Sequence, residues 1–121
     1  MLRFARADGE GVSALLVHSD PVFLNNRQKV IALAARYRLP AMYIIREYAA
    51  EGGLISYGPD YTQAFRQVGD IVGSVLKGEK PENLPVRQVT KIELVINTKT
   101  ANSLSLTVPL ALLGRADELI E

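Results

Sequence analysis

Two short apolar runs on either side of a helix-like segment constrain the fold of this chain more than any other feature. Residues 14–17 and 41–45 are continuously apolar, which is typical of strands buried on both faces of a sheet. Between them, apolar residues recur at helical spacing over 30–37, behind a candidate N-cap at Asn25 or Asn26. This order predicts a βαβ unit with parallel strands and a right-handed crossover, and hence an α/β fold.

The rest of the chain continues the alternation of helices and strands. Gly69 and Gly73 share one face of the longest predicted helix, and we expect them to let that helix pack closely on the sheet. Residues 1–11 have the pattern of a helix end followed by a loop. The other predicted elements are a short helix at 46–51, a strand at 54–57, a long helix from an Asp60 N-cap to Lys77, a strand at 92–96, a short helix at 97–104, and a last helix capped near Thr107 that reaches Ile120.

Composition excludes several classes of protein. The 121 residues suit one domain, and a net charge of +1 provides no basic field for nucleic acid. The chain has no cysteine and a single histidine, His18, which excludes disulfides, thiolate catalysis and His-rich metal sites. The amino-terminal residues lack the apolar core of a signal peptide, and no stretch approaches the ~20 apolar residues of a membrane helix. We therefore expect the chain as written to stay in the cytosol.

Polar residues follow both strands of the predicted βαβ unit. Ser19 and Asp20 come after the first strand, and Arg46 and Glu47 come after the second. Neighbouring parallel strands end at the same edge of a sheet, where α/β proteins bind ligands. Asp20 fits two roles, a turn residue that caps the next helix or an acceptor for a ligand ammonium, to which Ser19 could add a hydroxyl.

The second pair also allows two interpretations. Arg46 could offer its fork to a ligand carboxylate, or Arg46 and Glu47 could pair with other surface charges. Tyrosines surround this stretch, and their flat rings suit an aromatic or otherwise planar ligand, although Tyr43 fits the core better. The other tyrosines of the region are Tyr48, Tyr57 and Tyr61.

Nothing in the chain is typical of catalysis. His18 ends an apolar run and fits a satisfied strand-end residue, and Asp20 two residues on does not complete a dyad. Gly52–Gly53 lacks the spacing of a phosphate-binding loop, and Ser56 and Ser74 lack the flanking glycines of a nucleophile elbow. We predict that the chain is not an enzyme and holds neither a cofactor nor a metal.

Several motifs in combination resemble a known family. GGLISYG at 52–58, LKGEKPENLPV at 76–86 and ELVINTKTA at 93–101 resemble the C-terminal part of bacterial ABC-transporter substrate-binding proteins of the uncharacterised tryptophan/tyrosine-type group. ALLVHSDPVF at 14–23 is similar to the same family, and the resemblance extends from Val12 to Glu121.

The resemblance implies a partial type I periplasmic-binding-protein fold, in which two α/β lobes close on a small solute such as an amino acid. By position it places Asp20, Arg46 and Glu47 at the cleft and Tyr57 on a segment that crosses between the lobes. It also implies an ABC permease as a partner and a periplasmic location. The implied segments are a second-lobe βαβ unit at 12–45, a hinge crossing at 46–60 that includes Gly52, Gly53 and Gly58, and a C-terminal segment at 61–121.

Two functions follow as alternatives. The first is a truncated solute-binding protein that retains part of a ligand cleft. The second is a self-associating α/β module that acts in structure or interaction without binding a ligand. Because half of the family's two-lobe clamp is absent from this sequence, apolar surface would be exposed. We therefore expect a homo-oligomer, formed by exchange of the C-terminal segment between chains.

Overall fold

A five-stranded sheet organises the computed structural model, which describes residues 11–121. The strands are neighbours in chain order, the first three run parallel, and the last two run parallel to each other. The predicted α/β fold with a parallel βαβ unit is confirmed, whereas the helix end predicted before Gly11 lies outside the described residues. The strands are β1 (Leu15–Val17), β2 (Ala41–Tyr43), β3 (Ile55–Pro59), β4 (Ile92–Asn97) and β5 (Glu118–Ile120).

Six α-helices connect these strands in the described part of the chain. They are α1 (Pro21–Asn25), α2 (Arg27–Arg36), α3 (Arg46–Ala50), α4 (Tyr61–Leu76), α5 (Thr98–Ser103) and α6 (Leu110–Leu113), and a 3₁₀ turn at Pro81–Asn83 follows α4.

The helical segment after β1 starts earlier than predicted. Asp20 caps α1, since its Oδ1 accepts a hydrogen bond of 2.7 Å from the amide of Val22. Pro21 occupies the first turn, where its fixed φ and missing N–H suit a helix start. Asn26 stands between α1 and α2 at the N-cap position of α2, and its side-chain Nδ2 donates back to the carbonyl of Val22 at 2.8 Å. The predicted N-cap position at Asn26 is therefore confirmed for α2, although its side chain makes no capping hydrogen bond.

The first strand is less buried than its sequence predicts. β1 is an edge strand of the sheet, and the side chain of Leu16 is 72% exposed. Burial on both faces was therefore a wrong prediction for β1. Leu16 points to the opposite face from Leu15 and Val17, and an apolar run does not reveal that this face is open. β2 is more buried than β1, with Ala41 and Tyr43 buried on one face and Met42 partly buried on the other.

The predicted last helix is replaced by a short helix and a strand. α6 ends at Leu113, and Pro109 rather than Thr107 stands at its N-cap position. β5 pairs in parallel with β4, with Val95 opposite Glu118. Asp117 contributes to this junction, because its carboxylate accepts from the amide of Leu94 at 2.8 Å. Tertiary pairing with β4 therefore overrides the helical spacing of the apolar residues near the C-terminus.

The structure divides into two compact units. One comprises the chain up to Gly58 together with Glu93–Glu121, and the other comprises Pro59–Ile92. Residues 93–121 therefore share a unit with the βαβ segment, whereas the predicted assignment of segments to the lobes of a larger fold stays a prediction. The core of the first unit includes Val17, Val30, Ile31, Ala34, Leu39, Ala41, Tyr43, Ile45 and Tyr48.

The second unit contains α4, whose ends agree with the prediction. Asp60 caps it by accepting from the amide of Gln63 at 3.1 Å, and this hydrogen bond lowers the pKa of the Asp60 carboxyl. The apolar face is nevertheless exposed, with Phe65 at 72% and Leu76 at 82%. A Cβ built on Gly69 or Gly73 would meet no described atom within 4 Å. Close packing of these glycines on the sheet therefore stays a prediction.

Asn97 links three elements of the first unit. Its side chain is buried, and its Nδ2 donates to the carbonyl of Ala49 at the end of α3 at 3.0 Å. Its Oδ1 caps α5 by accepting from the amide of Thr100 at 2.9 Å. The predicted start of a short helix at Asn97 is confirmed, and the same residue holds α3 against β4.

Buried Tyr43 makes stability depend on pH in the alkaline range. Burial, and the adjacent Tyr48, raise the pKa of Tyr43 to about 12 from an ordinary value of 10.0. The unfolded chain therefore releases this proton first, so the stabilisation is complete below about pH 10 and is lost as the pH rises towards 12. We expect the denaturant midpoint of the wild type to fall over this pH range. The midpoint of Tyr43→Phe should fall less, because that variant lacks the titrating hydroxyl. Parallel falls in the two proteins would contradict the assignment.

Candidate functional site

The carboxyl ends of β1, β2 and β3 bring the predicted ligand residues to one edge of the sheet. Val17, the last residue of β1, is in register with Tyr43, the last residue of β2, and Tyr43 is in register with Ser56, beyond which β3 continues to Pro59. We call this region the carboxyl edge. The predicted ligand residues at or just beyond the carboxyl edge are all exposed: Ser19, Asp20, Arg46, Glu47 and Tyr57. The neighbouring strands agree with the prediction, whereas the approach of these side chains to one another and their binding of a ligand stay predictions.

Asp20 caps a helix in the structure, which is one of its two predicted roles. Its Oδ1 is engaged in capping α1, as described above. The neighbouring Ser19 is exposed, and its carbonyl oxygen lies 3.0 Å from Nδ1 of His18. His18 is thus a strand-end residue bonded to the backbone beside it.

Arg46 is the first residue of α3, and its guanidinium holds a carboxylate of this chain. Nε donates to Oε2 of Glu118 at 2.8 Å, and Nη2 donates to Oε1 at 2.6 Å. The side chains are 46% and 39% exposed, so the pair lies at the surface of the first unit. Hydrogen bonding to Glu118 raises the pKa of Arg46. The fork geometry is the one predicted for a ligand carboxylate, but Glu118 occupies it.

Further carboxylates surround this pair. Glu47, the next residue of α3, is exposed in the first turn, where a negative charge favours the helix. The charges of Glu47 and Glu93 add to that of Glu118 in raising the pKa of Arg46. Sequence analysis missed Glu118 because it assigned that residue to a helix. It missed Glu93 because nothing in the sequence distinguishes this strand residue from an ordinary surface glutamate.

The predicted hinge glycines have clear local roles. Gly52 has φ of 110°, a backbone conformation that favours glycine, and it follows the end of α3. A Cβ on Gly53 would lie 2.6 Å from the Tyr43 ring and 2.7 Å from the carbonyl oxygen of Tyr48. A Cβ on Gly58 would overlap the carbonyl of Ile44. Close packing within the first unit therefore requires glycine at 53 and 58, and hinge motion at these positions stays a prediction.

The tyrosines divide into core and surface residues. Tyr43 and Tyr48 are buried and stack with ring centroids 4.5 Å apart and planes 13° apart. The prediction that Tyr43 belongs to the core is confirmed. Tyr57 lies in the middle of β3, is 51% exposed and can still offer a ring to a ligand, whereas the buried Tyr48 cannot.

The described residues contain neither a metal-binding cluster nor a membrane-spanning helix. Over residues 11–121, no group of three or more histidine, cysteine, aspartate or glutamate side chains could hold a metal ion. In the same range, no helix has both the length and the apolar character needed to cross a membrane.

Comparison with known proteins identifies related chains. Residues 4–120 match the family model described as ABC transporter substrate binding protein. A conserved domain protein from Vibrio cholerae O1 biovar El Tor is 27% identical with a TM-score of 0.84, over 98% of this chain and 42% of that one. An ABC domain in complex with L-Trp from Streptococcus pneumoniae is 26% identical with a TM-score of 0.86, over 97% and 39%.

A more distant structure shares the fold alone. It is a ligand-free, open substrate-binding protein with adhesive properties from Clostridium difficile, 17% identical with a TM-score of 0.65 over 97% of this chain and 39% of that one. No curated protein matches the chain. This chain thus spans about two-fifths of the length of the solved structures that it matches.

Glycine-to-alanine substitutions test the packing explanation for the glycines. Gly53→Ala places a methyl group against the Tyr43 ring and the carbonyl of Tyr48. We expect this overlap to lower the free energy of unfolding of the first unit by ~1–3 kcal/mol. Gly69→Ala is the matched control in the open face of α4, where alanine should stabilise the helix by up to ~1 kcal/mol. Urea unfolding of the two variants measures both effects. A neutral Gly53→Ala would contradict the close approach.

Proposed function

This chain belongs to the ABC transporter substrate-binding protein family, and on that premise we propose that its carboxyl edge forms part of a binding site for an amino acid. The observation that carries the proposal is the likeness to a domain that holds L-Trp, with a TM-score of 0.86 over 97% of this chain. Binding involves no catalysis.

The chemistry of the carboxyl edge supports an amino acid as the solute. A guanidinium at Arg46, carboxylates at Glu47 and Glu118, and the exposed ring of Tyr57 lie on the first unit. A zwitterion with an aromatic side chain offers complementary groups for each of these. Ser19 adds an exposed hydroxyl at the end of β1.

Family membership also suggests the wider setting. We propose that the protein delivers its solute to an ABC permease and acts outside the cytoplasm, as substrate-binding proteins of transporters do. Because the chain spans 42% and 39% of the first two matched structures, we expect this chain by itself to contribute only part of the contacts to the solute.

Calorimetry and thermal unfolding test the binding of an amino acid. We expect L-tryptophan to raise the unfolding midpoint in a saturable way, since a ligand that binds only the folded state stabilises it in proportion to RT ln(1 + [L]/Kd). L-leucine compares an aliphatic side chain, and Tyr57→Ala should reduce any preference for L-tryptophan over L-leucine. If neither amino acid shifts the midpoint at millimolar concentration, the chain does not bind them and the proposal fails.

A second candidate function is self-association through α4. Its exposed apolar side chains form one face, on which Gly69 and Gly73 leave open space. Phe65 and Gly73 each lie four residues from Gly69, so in an antiparallel pair of α4 helices crossing at Gly69 the ring of one copy faces Gly73 of the other. The exposed apolar members of the face are Phe65 (72%), Val68 (54%), Val72 (49%), Val75 (40%) and Leu76 (82%).

Light scattering after size exclusion tests this pairing. Two helices of 16 residues bury less than the ~1,200–2,000 Å² of a standard interface, so we expect a weak dimer whose mass depends on concentration. Phe65→Glu and Val72→Glu should give monomers, whereas Gln67→Glu on the opposite side of the helix should leave the dimer intact. A wild-type chain that stays monomeric at high concentration would rule out this candidate.

A further inference from the structure

We propose that Arg46 and Glu118 together bind the charged end of an α-amino acid, with the ligand carboxylate on Arg46 and the ligand ammonium on Glu118. This inference rests on the proposed function, and it adds Glu118 as a residue that selects for the zwitterion. In the structure, the two side chains satisfy each other in the bidentate pair described above.

The pair is placed where an exchange with a ligand is possible. Arg46 starts α3 just beyond β2, and Glu118 starts β5, so the two backbones belong to separate elements of one unit. Both side chains are between one-third and one-half exposed, so a solute can approach them without unfolding of the core. Exposed ion pairs contribute little to stability, because water screens them and ordering two long side chains is unfavourable in entropy.

A zwitterion replaces one ion pair by two. Its carboxylate takes the place of the Glu118 carboxylate on the planar fork of Arg46, which suits bidentate recognition. Its ammonium then lies beside the displaced Glu118, so neither charge of the protein is left without a partner. The net charge of the site stays the same when the ligand binds.

The surroundings of Arg46 favour a ligand that carries both charges. Glu47 and Glu93 act on Arg46 together with Glu118. A ligand with a carboxylate but no ammonium would add a negative charge to this group and release Glu118 beside it. A ligand with an ammonium but no carboxylate would compete with Arg46 for Glu118 and leave Arg46 without its acceptor. Repulsion and lost pairing therefore discriminate against both kinds of analogue.

Asp20, the ammonium acceptor that sequence analysis predicts, is in a different situation. Its Oδ1 is committed to the cap of α1. Glu118 is the carboxylate that stands directly on the Arg46 fork, at hydrogen-bond distance through both oxygens. A ligand carboxylate on Arg46 takes the place of Glu118, so the ammonium of the same ligand lies beside Glu118, and this adjacency favours Glu118 over Asp20 as its partner.

Calorimetry with three indole compounds tests the assignment. The probes are L-tryptophan, indole-3-propionate, which lacks the ammonium, and tryptamine, which lacks the carboxylate. We expect the wild type to prefer L-tryptophan. Glu118→Gln should lower the affinity for L-tryptophan at least about tenfold. The same variant should bind indole-3-propionate more tightly than the wild type does, because the Arg46 fork no longer holds a carboxylate of the protein. Arg46→Gln should weaken L-tryptophan similarly and bind tryptamine no less tightly than the wild type does.

Controls separate this inference from the proposed function. Glu82→Gln removes an exposed carboxylate of the second unit, and it should bind L-tryptophan as the wild type does. Arg46→Lys keeps the charge and loses the planar fork, so it should also lower the affinity for L-tryptophan. This variant replaces Arg46→Gln in the test if Arg46→Gln does not fold. Wild-type binding of L-tryptophan that none of the site variants changes would show a purely structural pair and overturn this inference alone. A wild type that binds none of the probes would overturn the proposed function as well.

Discussion

The close contact of Tyr43, Tyr48 and Gly53 fixes the geometry of everything at the carboxyl edge. Tyr43 ends β2 in the core, Tyr48 lies inside α3, and their rings stack at 4.5 Å. Gly53 closes the turn after α3, and its amide donates to the carbonyl of Tyr48 at 2.7 Å. α3 is therefore held over the end of β2, and its first residue, Arg46, is carried to the surface. Any side chain at 53 would separate these groups, so the position of the guanidinium depends on a glycine seven residues later.

Sequence reasoning succeeded where local chemistry decides the structure. The βαβ unit, the cap at Asp60 and the start of α5 at Asn97 follow from apolar spacing and from side chains that bond nearby amides. It failed where distant parts of the chain decide. β5 exists because β4 offers an edge to pair with, and Leu16 is exposed because its face of the sheet is open at β1. Neither fact is encoded within a few residues of the segment concerned.

The same division applies to the candidate site. Convergence of Asp20 and Arg46 at one edge could be inferred from two strand ends, since parallel neighbours end together. The partner of Arg46 could not, because Glu118 lies 72 residues away and reaches the fork only through the pairing of β5. The family resemblance drawn from the motifs is confirmed by the match over residues 4–120. It did not indicate that a carboxylate of the chain itself occupies the predicted ligand fork.

The two hydrogen bonds at the boundary of the second unit have a consequence for the architecture. In the first unit the amide of Asn97 donates to the carbonyl of Leu54 at 2.9 Å, and in the second the amide of Asp60 donates to the carbonyl of Lys91 at 3.1 Å. Pro59–Ile92 is thus an insertion whose ends are held together by backbone pairing. The entropy of closing such a loop grows only logarithmically with its length, by about 0.6 kcal/mol for each doubling. Chain-closure entropy therefore places little thermodynamic constraint on the length of Pro59–Ile92.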